Sequence, residues 1–174
     1  MSEGRKGLLG LFKKTPDDPV QPLSETPEAP SQQEMRLRLA DFASARVEDV
    51  MIPRAEIIAV ELSTSMDDLI QLYANEAHSR LPVYRETLDD PVGVVHIRDL
   101  IGEIARANGE GPKADDTPLE RLRRDILFVP PSLPLPALLV KIQASRTHLA
   151  LVVDEYGGTD GLVSLEDLAE EIVG

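Results

Sequence analysis

The sequence predicts an α/β (α+β) fold of two tandem β-α-β-β-α repeats packed on each other with pseudo-twofold symmetry. Two observations carry this. The segment IIAVELSTSMDDLIQLYANEAHSRLPVY, from Ile57, aligns without a gap on ILFVPPSLPLPALLVKIQASRTHLALVV, from Ile126. Ile57 then meets Ile126, Val60 meets Val129, Leu69 meets Leu138 and Val83 meets Val152. One gap in the following turn sets Gly93 opposite Gly161 and Asp99 opposite Asp167. Within each copy, short apolar runs alternate with a helix-spaced apolar stripe, the pattern of strands around a helix.

The elements follow in order. Residues 1–33 read as a tail and linker, with Pro19, Pro22, Pro27 and Pro30 among acidic and small residues. Within it, Lys6–Lys14 (KGLLGLFKK) fits either a disordered tail or a short amphipathic contact with a membrane surface. Helix formers over 34–45 predict a lead-in helix. The first repeat spans 46–107: strand Ile57–Val60, helix Met66–Ala77, strands Leu81–Tyr84 and Val92–Ile97, and helix Arg98–Arg106. Asp89-Asp90-Pro91 reads as the turn between its paired strands. Residues 108–118, rich in Gly, Asp and Pro, form a linker. The second repeat, 119–174, offers strand Ile126–Val129, helix Pro136–Ser145, strands Leu149–Val153 and Gly161–Ser164, and helix Leu165–Ile172, with a turn at Glu155–Gly158. One copy alone buries too little apolar surface for comfortable stability. Two copies packed together solve this and leave two equivalent clefts.

Composition narrows the chemistry. The chain has no cysteine, which removes disulfides, thiolate metal sites and cysteine nucleophiles. A net charge of -13 argues against nucleic acid as a partner, because no basic surplus exists to displace phosphate counterions. No apolar run approaches the roughly 20 residues that span a bilayer, and a cytoplasmic location fits, with the inner membrane face as a peripheral option. No histidine stands beside Ser164 as a base, so a hydrolase has no support and no catalytic residue is assigned. His78, His96 and His148 lack a transition-metal ligand spacing, and no metal site is assigned. Mg2+ needs only oxygen ligands and can enter on nucleotide phosphates.

Three segments of the first copy, DVMIPR (49–54), HSRLPVY (78–84) and GVVHIRD (93–99), together resemble a cystathionine-β-synthase (CBS) domain. HLALVVDEYGGTDGLVSLEDLAEEIVG resembles a second. MIPR combined with DEYGG and GLVSLEDLAEEIVG is similar to the CorC/HlyC family of magnesium and cobalt efflux or haemolysin-like proteins. The resemblance runs from Arg46 to Gly174 and implies the soluble branch, cut before that family's C-terminal domain.

It further implies regulatory binding of an adenine nucleotide, ATP or AMP, in a homodimer that acts on ion homeostasis through a membrane transporter. The alternative is a structural dimerisation or protein-interaction module with vestigial clefts. From spacing alone, Ser164 and Asp167 fit equally a helix N-cap and a phosphate- and ribose-binding pair. The resemblance implies a first site of Met51, Ile52, Ser79, Arg80, Leu81 and Pro82 with Ser164 and Asp167. Ile52 and Pro82 would sandwich adenine, and Arg80, with Arg54 as a second candidate, would reach phosphate. A weaker second site takes Phe128, Val129, Pro130, Thr147 and His148 with His96 and Asp99. There His96 replaces the hydroxyl of Ser164, and Leu149 replaces the arginine.

Overall fold

The computed structural model describes residues 31–106 and 117–174. The expected tail over residues 1–30 and most of the expected linker lie outside them. Helix α1 (Gln32–Ser44) starts at Ser31, whose hydroxyl accepts from Glu34 N while Glu34 reaches back to Ser31 N. A short helix, α2 (Val47–Val50), leads into strand β1 (Ile52–Pro53) and a single 3-10 turn at Arg54–Glu56. Strand β2 (Val60–Glu61), helix α3 (Met66–Asn75), strands β3 (Arg80–Arg85) and β4 (Thr87–His96) and helix α4 (Ile97–Arg106) complete the first repeat. Helix α5 (Leu119–Leu122), strand β5 (Leu127–Val129), helix α6 (Leu135–Ser145), strands β6 (Leu149–Val153) and β7 (Thr159–Ser164) and helix α7 (Leu165–Val173) form the second.

The repeat holds in register. Val60 pairs with Val83 across parallel β2 and β3, and Val129 pairs with Val152 across parallel β5 and β6. Val83 then faces Gly93 in antiparallel β4, as Val152 faces Gly161 in β7. Each sheet follows the order of a βαβ unit with an added hairpin. Between the sheets, Val94 from one and Leu149, Leu151 and Leu162 from the other form a shared apolar cluster, joined by Ile52, Ile57 and Ile126.

Each copy is completed by the other's leading segment. Strand β1, near the start of the first repeat and ahead of its sheet, pairs antiparallel with β7, Ile52 opposite Leu162 and Pro53 opposite Gly161. Arg124, ahead of the second repeat's first strand, bridges Val94 of β4, with reciprocal backbone bonds of 2.8 and 2.9 Å. The cores repeat this exchange. Leu119 and Leu122 of α5 join the first repeat's core around Leu69, Leu81, Val83 and Val95. Phe42 and Val47 join the second repeat's core around Leu138, Ile142, Val152 and Leu168.

Two expectations need correction. Asp89-Asp90-Pro91 is not the turn: Tyr84 opposes Pro91 and Arg85 opposes Thr87, and the chain reverses at Glu86, in the left-handed region at φ 57°. The residues between bulge outward, and Asp89 is used elsewhere. Its Oδ1 accepts from Thr159 N at 2.9 Å, and its carboxylate accepts from both terminal guanidinium nitrogens of Arg54. Likewise, Ile57–Ala59 is not strand; only Val60 and Glu61 pair, because the chain approaches the sheet edge from the 3-10 turn.

Candidate nucleotide clefts

A cavity of about 370 Å3 opens between the repeats. Ile52, Glu56, Ile57 and Ile58 line it from the segment before β2, and Ala77 to Arg80 from the entry to β3. His148, Leu149, Leu162, Ser164, Glu166 and Asp167 close it from the second repeat. It lies where β7 ends and α7 begins. Ser164 is the N-cap: its Oγ accepts from Asp167 N at 3.1 Å, and Asp167 Oδ2 accepts from Ser164 N and Oγ, both at 2.7 Å. Capping is therefore realised. It occupies Oδ2 of Asp167, a residue that lines the cavity, and leaves Oδ1 without a hydrogen bond among the described residues. Arg80, at the start of β3, brings a guanidinium 3.7 Å from Glu166.

Of the residues expected at the first site, Ile52, Ser79, Arg80, Ser164 and Asp167 surround this cavity. Leu81 does not. Strand alternation turns its side chain into the first core, where it is 1% exposed. Pro82 is buried on the Arg80 side of the strand, opposite Val94, and does not line the cavity. Met51 lies behind it, with its sulfur and Cγ against the position of a Cβ on Gly161. Ile57 and Ile58 supply the apolar wall expected of Pro82. The sequence offered no mark for them, since they read as strand. Arg54 is turned away, bonded to Asp89 and to the Thr159 carbonyl at 2.8 Å.

The second cleft, about 600 Å3, is lined by Arg80, Val94, His96, Arg98, Arg124, Asp125 and Ser145 to Leu149. Thr147, His148 and His96 meet there as expected. Phe128, Val129 and Pro130 do not. β5 runs parallel to β6, so they lie at the strand end beside Val153, Asp154 and Glu155, around a separate depression. His96 Nδ1 accepts from Arg98 N at 2.9 Å, capping α4 as Ser164 caps α7. Burial pushes the His96 imidazole below its ordinary pKa, and the nearby Arg80 adds to this. Asp99 touches the cleft only through Arg124, whose Nη2 donates to its Oδ1 at 2.5 Å. The two clefts are equivalent in backbone: Ile97 N donates to Ser79 O, and Leu165 N to His148 O, each at 2.9 Å.

Among the described residues no group of three or more His, Asp or Glu could hold a metal ion, and no helix is long and apolar enough to cross a membrane.

Residues 47–106 and 119–174 each match the CBS domain family. The chain is 46% identical over 129 residues to "Hemolysin C" of Rickettsia prowazekii, covering 74% of this chain and 40% of that protein. It is 44% identical over 126 residues to a UPF0053 protein of Mycobacterium tuberculosis, covering 72% and 28%. It thus spans less than half the length of these relatives. The CBS domain of a bacterial CNNM/CorC family Mg2+ transporter in complex with ATP superposes with TM-score 0.72 at 36% identity, over 83% of this chain and 99% of that one. A CBS-domain pair from Klebsiella pneumoniae with bound AMP superposes with TM-score 0.62 at 34% identity, over 75% and 100%. With both repeats matched and each copy's strands in the same register, the chain belongs to the CBS domain family, as a tandem pair homologous to those of hemolysin C-like proteins.

Proposed function

We propose that this pair is a regulatory module that binds an adenine nucleotide, ATP or AMP, in the first cleft, and that it serves magnesium or cobalt ion homeostasis. The reading places it in the cytoplasm as a homodimer, acting through a membrane transporter rather than by catalysis. The observation that carries it is the lining of the first cleft. Three isoleucines make a platform for a base, Asp167 on the lining keeps Oδ1 unbonded among the described residues as an acceptor for ribose hydroxyls, and Arg80 offers a cation for phosphate. Glu56, Glu166 and Asp167 make the same wall acidic, so a triphosphate is best received with Mg2+ as its counterion. The relatives solved with ATP and with AMP support an adenine ligand.

A calorimetric titration with ATP, AMP and GTP, each with and without Mg2+, tests the reading. Saturable binding of ATP or AMP, weaker for GTP and with Mg2+ favouring ATP, is expected. Absence of any adenine-specific binding would leave the dimerisation or protein-interaction role in its place.

A further inference from the structure

The second cleft is built from the same backbone as the first but carries different chemistry. Ile52 and Arg124 occupy equivalent places, each bridging the residue after the repeat's glycine: Ile52 opposite Leu162, Arg124 opposite Val94. An apolar wall on one side is therefore a guanidinium on the other. Ser164 is replaced by His96. Asp99, the counterpart of the ribose-facing Asp167, is bonded to Arg124 instead. Nothing in the second cleft matches the Ile57–Ile58 platform, and its apolar wall is reduced to Val94 and Leu149.

What it gains is positive charge. Arg80, Arg98, Arg124 and Arg146 converge on it from four separate segments, with His96 and His148 beside them. Asp125 on the lining and Asp99 behind Arg124 are the carboxylates set against them, together with Glu166, 3.7 Å from Arg80. Arg98 and Arg146 have no carboxylate partner among the described residues, although both stand in a chain of net charge -13 with acid available throughout. Thr147, its hydroxyl 2.8 Å from that of Ser145, adds a neutral donor. A concave cleft lined by one sign of charge gathers such a field, and planar guanidiniums match phosphate oxygens two at a time.

We propose that the second cleft binds a compact, multiply charged phosphoanhydride, a group of two or three linked phosphates, and not an adenosine. The assignment does not rest on nucleotide binding at the first cleft. Cleft volume allows it, since about 600 Å3 exceeds what such an anion fills. A single phosphate would engage only part of the arginine set.

Titration calorimetry with inorganic pyrophosphate, in a chelator to keep it metal-free, tests this on the whole chain. Arg98→Gln and Arg146→Asn make the variant. Both side chains are exposed, and asparagine tolerates the left-handed backbone at 146, φ 55°. Wild type is expected to bind pyrophosphate saturably, to bind orthophosphate at least about tenfold more weakly, and to show no competition from adenosine. The double variant should lose about tenfold or more in pyrophosphate affinity, with its melting temperature unchanged in the absence of ligand. Equal pyrophosphate affinity for wild type and variant, no saturable binding at millimolar concentration, or displacement by adenosine would overturn the assignment. Asp167→Ala should leave pyrophosphate binding intact, so failure here and failure of the adenine site are read separately.

Discussion

The carbonyl oxygen of Ile52 lies 2.7 Å from the point where a Cβ on Gly161 would stand. That approach is what lets β1 lie against β7 and carry Ile52 into the first cleft. Arg124 O comes within 2.5 Å of the equivalent point on Gly93. Gly161→Ala is therefore expected to push β1 off the sheet and cost about 1–3 kcal/mol, as overpacking does. Denaturant midpoints would report the loss. ATP affinity should fall with it, because the base platform moves.

Asp167 serves two purposes at once, and one variant separates them by size. Asp167→Ala removes an acceptor for ribose hydroxyls, a loss of roughly 1.5–3 kcal/mol in binding, or about 10- to 150-fold in Kd. It also opens the N-cap of α7, at about 1 kcal/mol of stability. Asp99→Ala should leave ATP affinity nearly unchanged, since Asp99 is committed to Arg124. Unchanged ATP affinity in Asp167→Ala would remove the nucleotide from the first cleft.

Asp89 ties the repeats together. The Arg54 guanidinium bonded to it, and then the Thr159 N–H, hold its carboxyl below the usual carboxylate range. A carboxylate whose folded pKa is depressed adds stability above its unfolded pKa and surrenders it as pH falls through the folded value. Asp89→Asn should thus melt below wild type at neutral pH, with the gap closing on acidification. The exposed Arg85–Asp90 pair is the control: Asp90→Asn should change little at any pH. A constant gap across pH would show that Asp89 acts by shape alone.

Leu37, Ile101, Val140 and Val173 stand exposed on four helices, between 54% and 64% open. They offer the apolar area that a homodimer would cover. Light scattering at tens of micromolar should give a dimer mass, and Val140→Glu with Ile101→Glu should shift it toward monomer. A wild-type monomer under those conditions would end the dimer reading.

The equivalence of the copies was legible: the alignment sets Val60 on Val129 and Val83 on Val152, and the structure pairs Val60 with Val83 as it pairs Val129 with Val152. The exchange of leading segments was not. Ungapped alignment sets Ala55 opposite Arg124, whereas Ile52 is its structural counterpart, because the 3-10 turn Arg54–Glu56 has no equivalent in the second copy. Phe128, Val129 and Pro130 likewise line a separate hollow, since the second cleft lies at the beginning of β6 and they stand beside its end. Asp89 and Asp90 looked like a turn by composition, but a carboxylate facing an arginine on another segment leaves no periodic trace.

The crossed leading segments also bear on the order in which the chain becomes structured. Strand β1 is synthesised well before its partner β7, with the whole of the first repeat's sheet and most of the second repeat between them. The first repeat, meanwhile, waits for Leu119, Leu122 and Arg124 to fill its core and cover Val94. Neither half can complete itself in turn. Such long-range closure makes folding slow and postpones it until the second repeat has been synthesised, so a nascent chain halted between the repeats should remain open to proteases and chaperones.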